Sequence, residues 1–163
     1  MSAEQISEMV LDLYAARSEA REYLDFFVSP DIEKKLDKSR SLIKKEMSRN
    51  SKGRNKSRST RIRRFIKDIS SLNSGTEPVA EIMTFAVETF CEVGSDQIIK
   101  TSVQNGYARL LHDTIIYIND AGLVGDYLPR IEKAVDSMPS SWWRGNEFKK
   151  LLKQELKETM ESL

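Results

Sequence analysis

Hydrophobic residues recur at every third or fourth position along most of the chain, which is the spacing of amphipathic α-helices. The first such stripe consists of Ile6, Met9, Val10 and Leu13, and Ser2 precedes it with Gln5 at capping-box spacing. Alternation of apolar and polar residues never persists, so the pattern predicts no strand. It predicts an all-α fold of seven or eight helices, packed as consecutive antiparallel hairpins in a helical bundle or a repeat-like stack.

Helix-capping residues and proline predict where the first helices begin. A second helix is predicted to start near Ser18. Ser29 and Pro30 are interpreted as the N-cap and first residue of a third helix, because proline at that position loses no hydrogen bond. The fourth helix is predicted to begin near Thr60, and its apolar stripe consists of Ile62, Phe65, Ile66, Ile69 and Leu72.

Glycine and proline mark the later boundaries. The fifth helix is the most apolar and is predicted to be central, with Gly94 as the left-handed residue at its C-terminal end. The sixth is predicted over about 96–119, with a kink or break at Gly106. A seventh helix is predicted over roughly 124–137. Pro129 is compatible with it only if this residue lies in the first turn, where its missing N–H has no partner within the helix.

The apolar stripes of the predicted helices together predict a hydrophobic core. Eight side chains are expected to be largely buried: Phe65, Ile66, Ile82, Met83, Phe90, Tyr107, Leu110 and Leu111.

Length and composition indicate one all-helical domain over residues 1–163. Hydrophobic residues make up 39% and charged residues 31%, which is too apolar for a disordered chain. One Cys and one His exclude a structural disulfide and the usual zinc sites within one chain, so no metal and no cofactor is predicted. Neither a targeting segment nor a membrane span is apparent, and the default expectation is a cytoplasmic protein.

Charge is distributed unevenly although the net charge is only +1. Residues 47–67 contain nine basic and no acidic side chains, so the remaining 17 basic residues stand against 25 acidic ones. This asymmetry suggests an anionic partner. Within the segment, residues 48–59 contain no apolar side chain and predict a mobile, protease-sensitive basic loop.

The basic segment therefore supplies the candidate binding residues. Cations are unfavourable in the first turn of a helix, because the helix dipole places partial positive charge there. A phosphate or carboxylate bound at this terminus reverses that effect. A structural interpretation is preferred by a small margin, because basic tracts are weak motifs: the segment is solvated, or its charge pairs with acidic residues of the same or a neighbouring chain. The candidates for binding an anion or nucleic acid are Lys52, Arg54, Lys56, Arg58, Arg61, Arg63 and Arg64.

Two residues could carry catalysis but have simpler interpretations. His112 precedes Asp113, but neighbours on a helix do not face each other, so a structural histidine is favoured over a general base. Cys91 lies on the most apolar helix beside glutamates, which favours a buried, inert thiol. No catalytic residue is predicted, and an enzyme that uses His112 is the least favoured alternative.

Other polar and aromatic groups also favour structural roles. Three glutamates share one helical face: Glu81, Glu88 and Glu92. They are expected to be solvated or to form ion pairs with the basic loop, since the Glu-x-x-His motif of di-iron helical bundles is absent from the sequence. Trp142 and Trp143 fit a partner anchor or a lid on the core equally well. The glycines form no nucleotide-binding loop.

Five segments in order along the chain carry a resemblance to a known family. They are L-D-L-Y at 11–14, E-Y-L-D-F at 22–26, R-R-F-I-K-D-I at 63–69, V-E-T-F-C-E-V-G at 87–94 and S-S-W-W-R-G at 140–145. Together they resemble a bacterial family catalogued only as a domain of unknown function. The resemblance implies a small cytoplasmic all-helical protein and implies no activity, cofactor or site residue.

The sequence thus predicts a non-enzymatic helical binding module. Its basic segment, 49–67, is expected to dock an unknown protein or another acidic or phosphate-bearing partner. The alternative is a protein that binds nucleic acid without sequence specificity through the same segment.

Overall fold

The computed structural model describes residues 1–28, 30–48, 58–140 and 146–163. Those ranges contain eight helices and no strand, which confirms the all-α fold class. The helices are α1 (Ala3–Ala16), α2 (Ser18–Val28), α3 (Ile32–Met47), α4 (Ser59–Ser70), α5 (Glu77–Asp96), α6 (Thr101–Asp120), α7 (Val124–Ser137) and α8 (Asn146–Ser162). None of these helices is long and apolar enough to cross a lipid bilayer.

The chain divides into two compact units, an N-terminal unit (Met1–Lys35) and a C-terminal unit (Leu36–Leu163). The N-terminal unit contains the α1–α2 hairpin. Its predicted capping box is confirmed, because the Ser2 hydroxyl accepts from the Gln5 N–H at 3.3 Å while the Gln5 side chain accepts from the Ser2 N–H at 2.8 Å. The Tyr14 hydroxyl of α1 donates to Asp25 of α2 at 2.9 Å and ties the two helices together.

The predicted start of α3 at Ser29-Pro30 is wrong. Pro30 precedes the helix, and Asp31 provides the cap, since its carboxylate accepts from the Lys34 N–H at 3.0 Å. Aspartate is a strong N-capping residue, because its side chain satisfies an N–H that has no partner inside the helix. Ser29 itself lies outside the described residues.

The core of the C-terminal unit is centred on α5, as predicted. This helix packs against α4, α6 and α7, and eleven of its residues are buried. Phe90 stacks on Tyr107 of α6 with ring centroids 4.8 Å apart, and both side chains are fully buried. The eight predicted core side chains are confirmed apart from Phe65, which is partly buried against the same cluster.

Helices two apart in the chain also pack together in the C-terminal unit, α5 with α7 and α6 with α8. Packing between sequence neighbours alone would leave each hairpin with an uncovered apolar face. The additional contacts close the core, as in a stack of helix pairs.

Gly94 does not end α5, contrary to the prediction. The helix continues to Asp96 and Gln97 is its C-cap, while Gly94 is buried in its last turns. A Cβ at this position would lie 2.7 Å from a ring carbon of Phe148 in α8. Gly94 is needed for close packing between helices rather than for a left-handed turn.

The expected break in the sixth helix is absent, because α6 runs without interruption through Gly106. A Cβ there would lie 2.8 Å from the Ser59 hydroxyl at the start of α4. The helix also begins at Thr101 rather than near Asp96, since Asp96 belongs to α5.

The restriction of Pro129 to the first turn of α7 is also wrong. The helix begins at Val124, so Pro129 lies in its second turn. Proline lacks the N–H that would bond the Gly125 carbonyl four residues earlier. Gly125 is exposed, so water can satisfy that carbonyl, and the helix continues.

A buried lysine of α8 forms hydrogen bonds with the C-terminal end of α7. The Lys149 ammonium donates to the Asp136 carbonyl at 2.8 Å and to the Ser140 hydroxyl at 3.3 Å, and also to the Met138 carbonyl. Cations at a helix C-terminus are favourable because the carbonyl end of the helix carries partial negative charge.

Candidate functional site

The basic helix α4 meets a carboxylate from its own chain at its first turn. Glu46 of α3 accepts from the backbone N–H of Arg58 at 3.3 Å and from the guanidinium of Arg61 at 3.2 Å. The Glu46 side chain is only 14% exposed, whereas that of Arg61 is 62% exposed. The anion expected at this helix terminus is therefore supplied internally, and Arg61 is an intrachain ion-pair partner.

A second cation of α4 is also paired within the chain. Arg63 donates to Asp113 of α6, and both side chains are about two-fifths exposed. This pair joins the first half of α4 to the middle of α6. Two of the candidate arginines are thus neutralised by carboxylates of the C-terminal unit.

Arg64 and Lys67 remain exposed on α4. They are three residues apart, so they lie on the same side of the helix, away from the buried Ile62, Ile66 and Ile69. Neither makes an ion pair with any described residue. Asp68 is the single carboxylate of this helix and is exposed as well.

Arg109 of α6 is a cation that the sequence analysis did not single out. It lies between Gly106, which touches Ser59, and Asp113, which binds Arg63, at positions that share one face of α6. Arg109 therefore shares the face of α6 that meets α4, and it is exposed without an ion pair among the described residues. Its spacing of three and four residues from Gly106 and Asp113 was visible in the sequence, but nothing there showed that this face meets α4.

The structure thus tests only part of the predicted anion site. Arg58, Arg61, Arg63 and Arg64 are described. Arg61 and Arg63 are paired, whereas the side chains of Arg58 and Arg64 are exposed and make no ion pair with a described residue. The other three candidates lie outside the described residues: Lys52, Arg54 and Lys56. The basic loop to which they belong stays a prediction, and Trp142 and Trp143 also fall outside the described ranges.

His112 and Asp113 point to different helices, as expected for neighbours on α6. His112 Nδ1 lies 2.9 Å from the Thr159 hydroxyl and 3.2 Å from Glu155 Oε1, both on α8. The Thr159 hydroxyl donates to the Glu155 carbonyl at 2.7 Å, so the imidazole donates and the threonine oxygen accepts. His112 thus joins α6 to α8 on the surface of the C-terminal unit.

The described cysteine is unsuited to nucleophilic chemistry. Cys91 is 2% exposed, and burial together with the negative charge of Glu88 raises the pKa of its thiol to about 12. A thiolate nucleophile needs a lowered pKa and access to solvent, and Cys91 has neither.

The acidic face of α5 is not simply solvated. The Arg130 guanidinium of α7 donates two hydrogen bonds to the Glu81 carboxylate, at 2.6 and 3.2 Å. It donates two more to the Glu88 carboxylate, both at 3.0 Å. Arg40 of α3 adds a bond to Glu81 at 3.2 Å. Hydrogen bonds from Arg130 outweigh the effect of burial and lower the pKa of Glu81 below its ordinary value. Glu92 alone of the three glutamates is exposed.

The described residues contain no group of three or more His, Cys, Asp or Glu side chains that could hold a metal ion. What the structure assembles is a set of intrachain ion pairs between helices, with unpaired cations on α4 and α6. These features define the chain as a small all-helical protein with a charged surface.

A comparison of the sequence with known families then places the chain more narrowly. The sequence model of a family of unknown function, DUF6155, matches residues 1–155, and the chain belongs to that family. No curated protein and no solved structure matches the chain.

Proposed function

We propose that this chain is a non-enzymatic helical binding module that docks an acidic protein surface on the α4 basic face, defined as Arg64, Lys67 and Arg109. The observation that carries the proposal is the contrast between these three exposed, unpaired cations and their paired neighbours. Arg61 and Arg63 are already bound to Glu46 and Asp113, so they hold α4 in place. Arg64, Lys67 and Arg109 make no ion pair with a described residue, so they are available to meet a partner.

An exposed carboxylate on α4 favours an acidic protein over a nucleic-acid backbone. Asp68 is exposed and makes no ion pair with a described residue, whereas Asp113 is already paired with Arg63. A polyphosphate would be repelled by Asp68, whereas a protein surface of mixed charge can offer a cation to Asp68 and carboxylates to the basic residues. Binding of nucleic acid through phosphate contacts is the alternative that the same experiment separates.

The test measures binding of two fluorescent probes, an acidic peptide that contains glutamate in excess over lysine and a random-sequence DNA duplex, over a range of salt concentrations. The variant is Arg64→Gln with Lys67→Gln. The matched control is Lys133→Gln with Lys150→Gln, which removes the same charge from exposed, unpaired positions on α7 and α8. Because each exposed ion pair contributes little, the variant should weaken binding of the acidic peptide about threefold to tenfold, and the control should leave it unchanged.

The two probes distinguish the partner classes. If DNA binds more tightly than the acidic peptide, and the variant lowers the salt slope by about 2, the nucleic-acid alternative is correct. Equal weakening by the variant and the control, or no binding of either probe, would contradict docking on the α4 basic face.

A further inference from the structure

Two helices of the C-terminal unit, α3 and α5, border a small cleft. Arg40 of α3 binds Glu81 of α5. One turn later in both helices, the Lys44 ammonium lies 5.7 Å from the centroid of the Phe85 ring, so the helices run side by side in the same direction. The cleft has a volume of about 200 Å³. Sites for drug-sized ligands measure roughly 300–1,000 Å³, so this cleft admits only a small molecule.

The lining of the cleft carries charges of both signs. Its residues are Lys44 and Ser48 from α3, with Thr89, Glu92, Val93 and Asp96 from α5. Glu92 and Asp96 are four residues apart, so their carboxylates lie on the same side of α5. Both are exposed, and neither makes an ion pair with a described residue. These two carboxylates form the acidic end of the cleft.

The acidic end is electrostatically unfavourable in the unbound chain. Asp96 is the final residue of α5, where a carboxylate is disfavoured because the carbonyl end of a helix carries partial negative charge. The last turn of α5 contains no basic residue that could offset it. Glu92, one turn earlier, adds a like charge at a spacing that is itself destabilising.

Lys44 does not neutralise the acidic end, although it lines the same cleft. No ion pair joins its ammonium to any residue that the structure describes. The ammonium lies over Phe85, which precedes Glu92 by seven residues and therefore by about 10 Å along α5. The positive and negative groups of the cleft are thus held apart.

The stretch between these two ends offers hydrogen-bond acceptors and apolar surface. The buried Thr89 hydroxyl donates to the Phe85 carbonyl at 2.8 Å, so its oxygen is left as an acceptor. The Ser48 hydroxyl likewise donates to the Lys45 carbonyl at 2.8 Å. Val93 is partly buried and contributes apolar surface. A ligand that suits this lining has a short hydrocarbon centre and carries its charges at its two ends.

We propose that the α3–α5 cleft binds a small zwitterion, an ω-amino acid whose ammonium and carboxylate are separated by several methylene groups. The ammonium lies at Glu92 and Asp96, and the carboxylate meets Lys44. The ammonium offsets the negative charge at the end of α5, as cations do at helix C-termini. An α-amino acid carries both charges on one carbon and is too short to reach both ends. This site is separate from the α4 basic face and does not depend on it.

The test is an NMR titration of the full chain with four probes. They are δ-aminovalerate, n-butylamine, which lacks the carboxylate, valerate, which lacks the ammonium, and glycine, which is a short zwitterion. We expect δ-aminovalerate to bind about tenfold more tightly than n-butylamine or valerate, because each singly charged probe leaves one end of the cleft without a partner. Glycine should bind no more tightly than either.

Two variants assign the ends of the ligand. Lys44→Gln should bind δ-aminovalerate no more tightly than n-butylamine. Glu92→Gln with Asp96→Asn should bind it no more tightly than valerate. This double variant should also melt at no lower temperature than the wild type, because it removes negative charge from the carbonyl end of α5.

The matched controls remove the same charges from α7. They are Lys133→Gln, and Glu132→Gln with Asp126→Asn, at exposed positions that make no ion pair with a described residue. Both controls should keep the full preference for δ-aminovalerate. Equal affinity of the wild type for δ-aminovalerate and n-butylamine would reduce the cleft to an acidic patch and overturn the proposal. Failure of every probe to bind at millimolar concentration would overturn it too, as would loss of the preference in the controls.

Discussion

Gly94 shows how one residue acquires its role from a partner far along the chain. By sequence it resembles a helix-ending glycine, yet it lies inside α5 against the ring of Phe148, 54 positions later. The missing side chain creates space for α8, because an aromatic ring in a packed core cannot move without disturbing its other neighbours.

We expect Gly94→Ala to lower the free energy of unfolding by about 1–3 kcal/mol through overpacking against Phe148. Gly125→Ala is the control, because Gly125 also lies in a helix but no atom comes within 4 Å of its added Cβ. That substitution should raise stability by about 0.5–1 kcal/mol, the ordinary helix preference for alanine. Urea denaturation measures both, and stabilisation by Gly94→Ala would contradict the close approach of α8.

At the scale of elements, α5 and α7 are joined by polar contacts as well as by their apolar faces. Arg130 binds Glu81 and Glu88, which are seven residues apart and therefore lie on one side of α5. Arg40 brings α3 to the same carboxylate. Three helices thus share one charged cluster at the edge of the core.

This cluster should make stability depend on pH. The pKa of Glu81 is lowered below its ordinary value of 4.5, chiefly by hydrogen bonds from Arg130. The contribution of the ionised carboxylate is therefore fully present above about pH 4.5 and is lost as the pH falls through the lower pKa of the folded state.

We expect Glu81→Gln to reduce stability at pH 7 by about 1 kcal/mol, a small value because Arg130 is 37% exposed and solvent screens the pair. The variant should also lose less stability than the wild type on acidification below pH 4.5. Glu132→Gln, at an exposed position on α7, is the control and should preserve the wild-type profile. Thermal melts from pH 3 to pH 7 measure both effects, and parallel profiles for wild type and Glu81→Gln would argue against the ion pair.

For the whole molecule, the buried hydrophobic cluster lies entirely within the C-terminal unit. Its first member is Leu36 and its last is Leu152, while α1 and α2 contribute no buried residue. Since burial of apolar surface is the main source of folding stability, the C-terminal unit should fold without the hairpin that precedes it.

A chain that begins at Pro30, and so retains the Asp31 cap of α3, should unfold cooperatively with a free energy within about 2 kcal/mol of that of the full chain. Circular dichroism should show helix content well above the one-third average of globular domains for both chains. A peptide of residues 1–28 should be mostly unfolded when dilute, because short isolated helices are marginal in water. Loss of cooperative unfolding in the truncated chain would show that the hairpin is part of the core.

Most of the helical architecture could be predicted from the sequence, whereas only part of the candidate site could. The stripe of Ile62, Ile66 and Ile69 and the capping box of Ser2 are local patterns, and the structure confirms both. The clustering of basic residues was visible too. Which of them are free was not visible, because Arg61 and Arg63 bind carboxylates 15 and 50 positions away.

The sequence by itself determined that this protein is helical, where most of its helices run and which faces enter the core, because those properties follow from the spacing of neighbours along a helix. Only the tertiary structure decided that Gly94 and Gly106 mark close contacts rather than an end or a break, and that Arg130 joins α5 to α7. It also decided that Arg64, Lys67 and Arg109 make no ion pair with any residue that the structure describes. Each of these outcomes depends on which helices meet, and helix–helix contacts between distant segments leave no periodic signal in the chain.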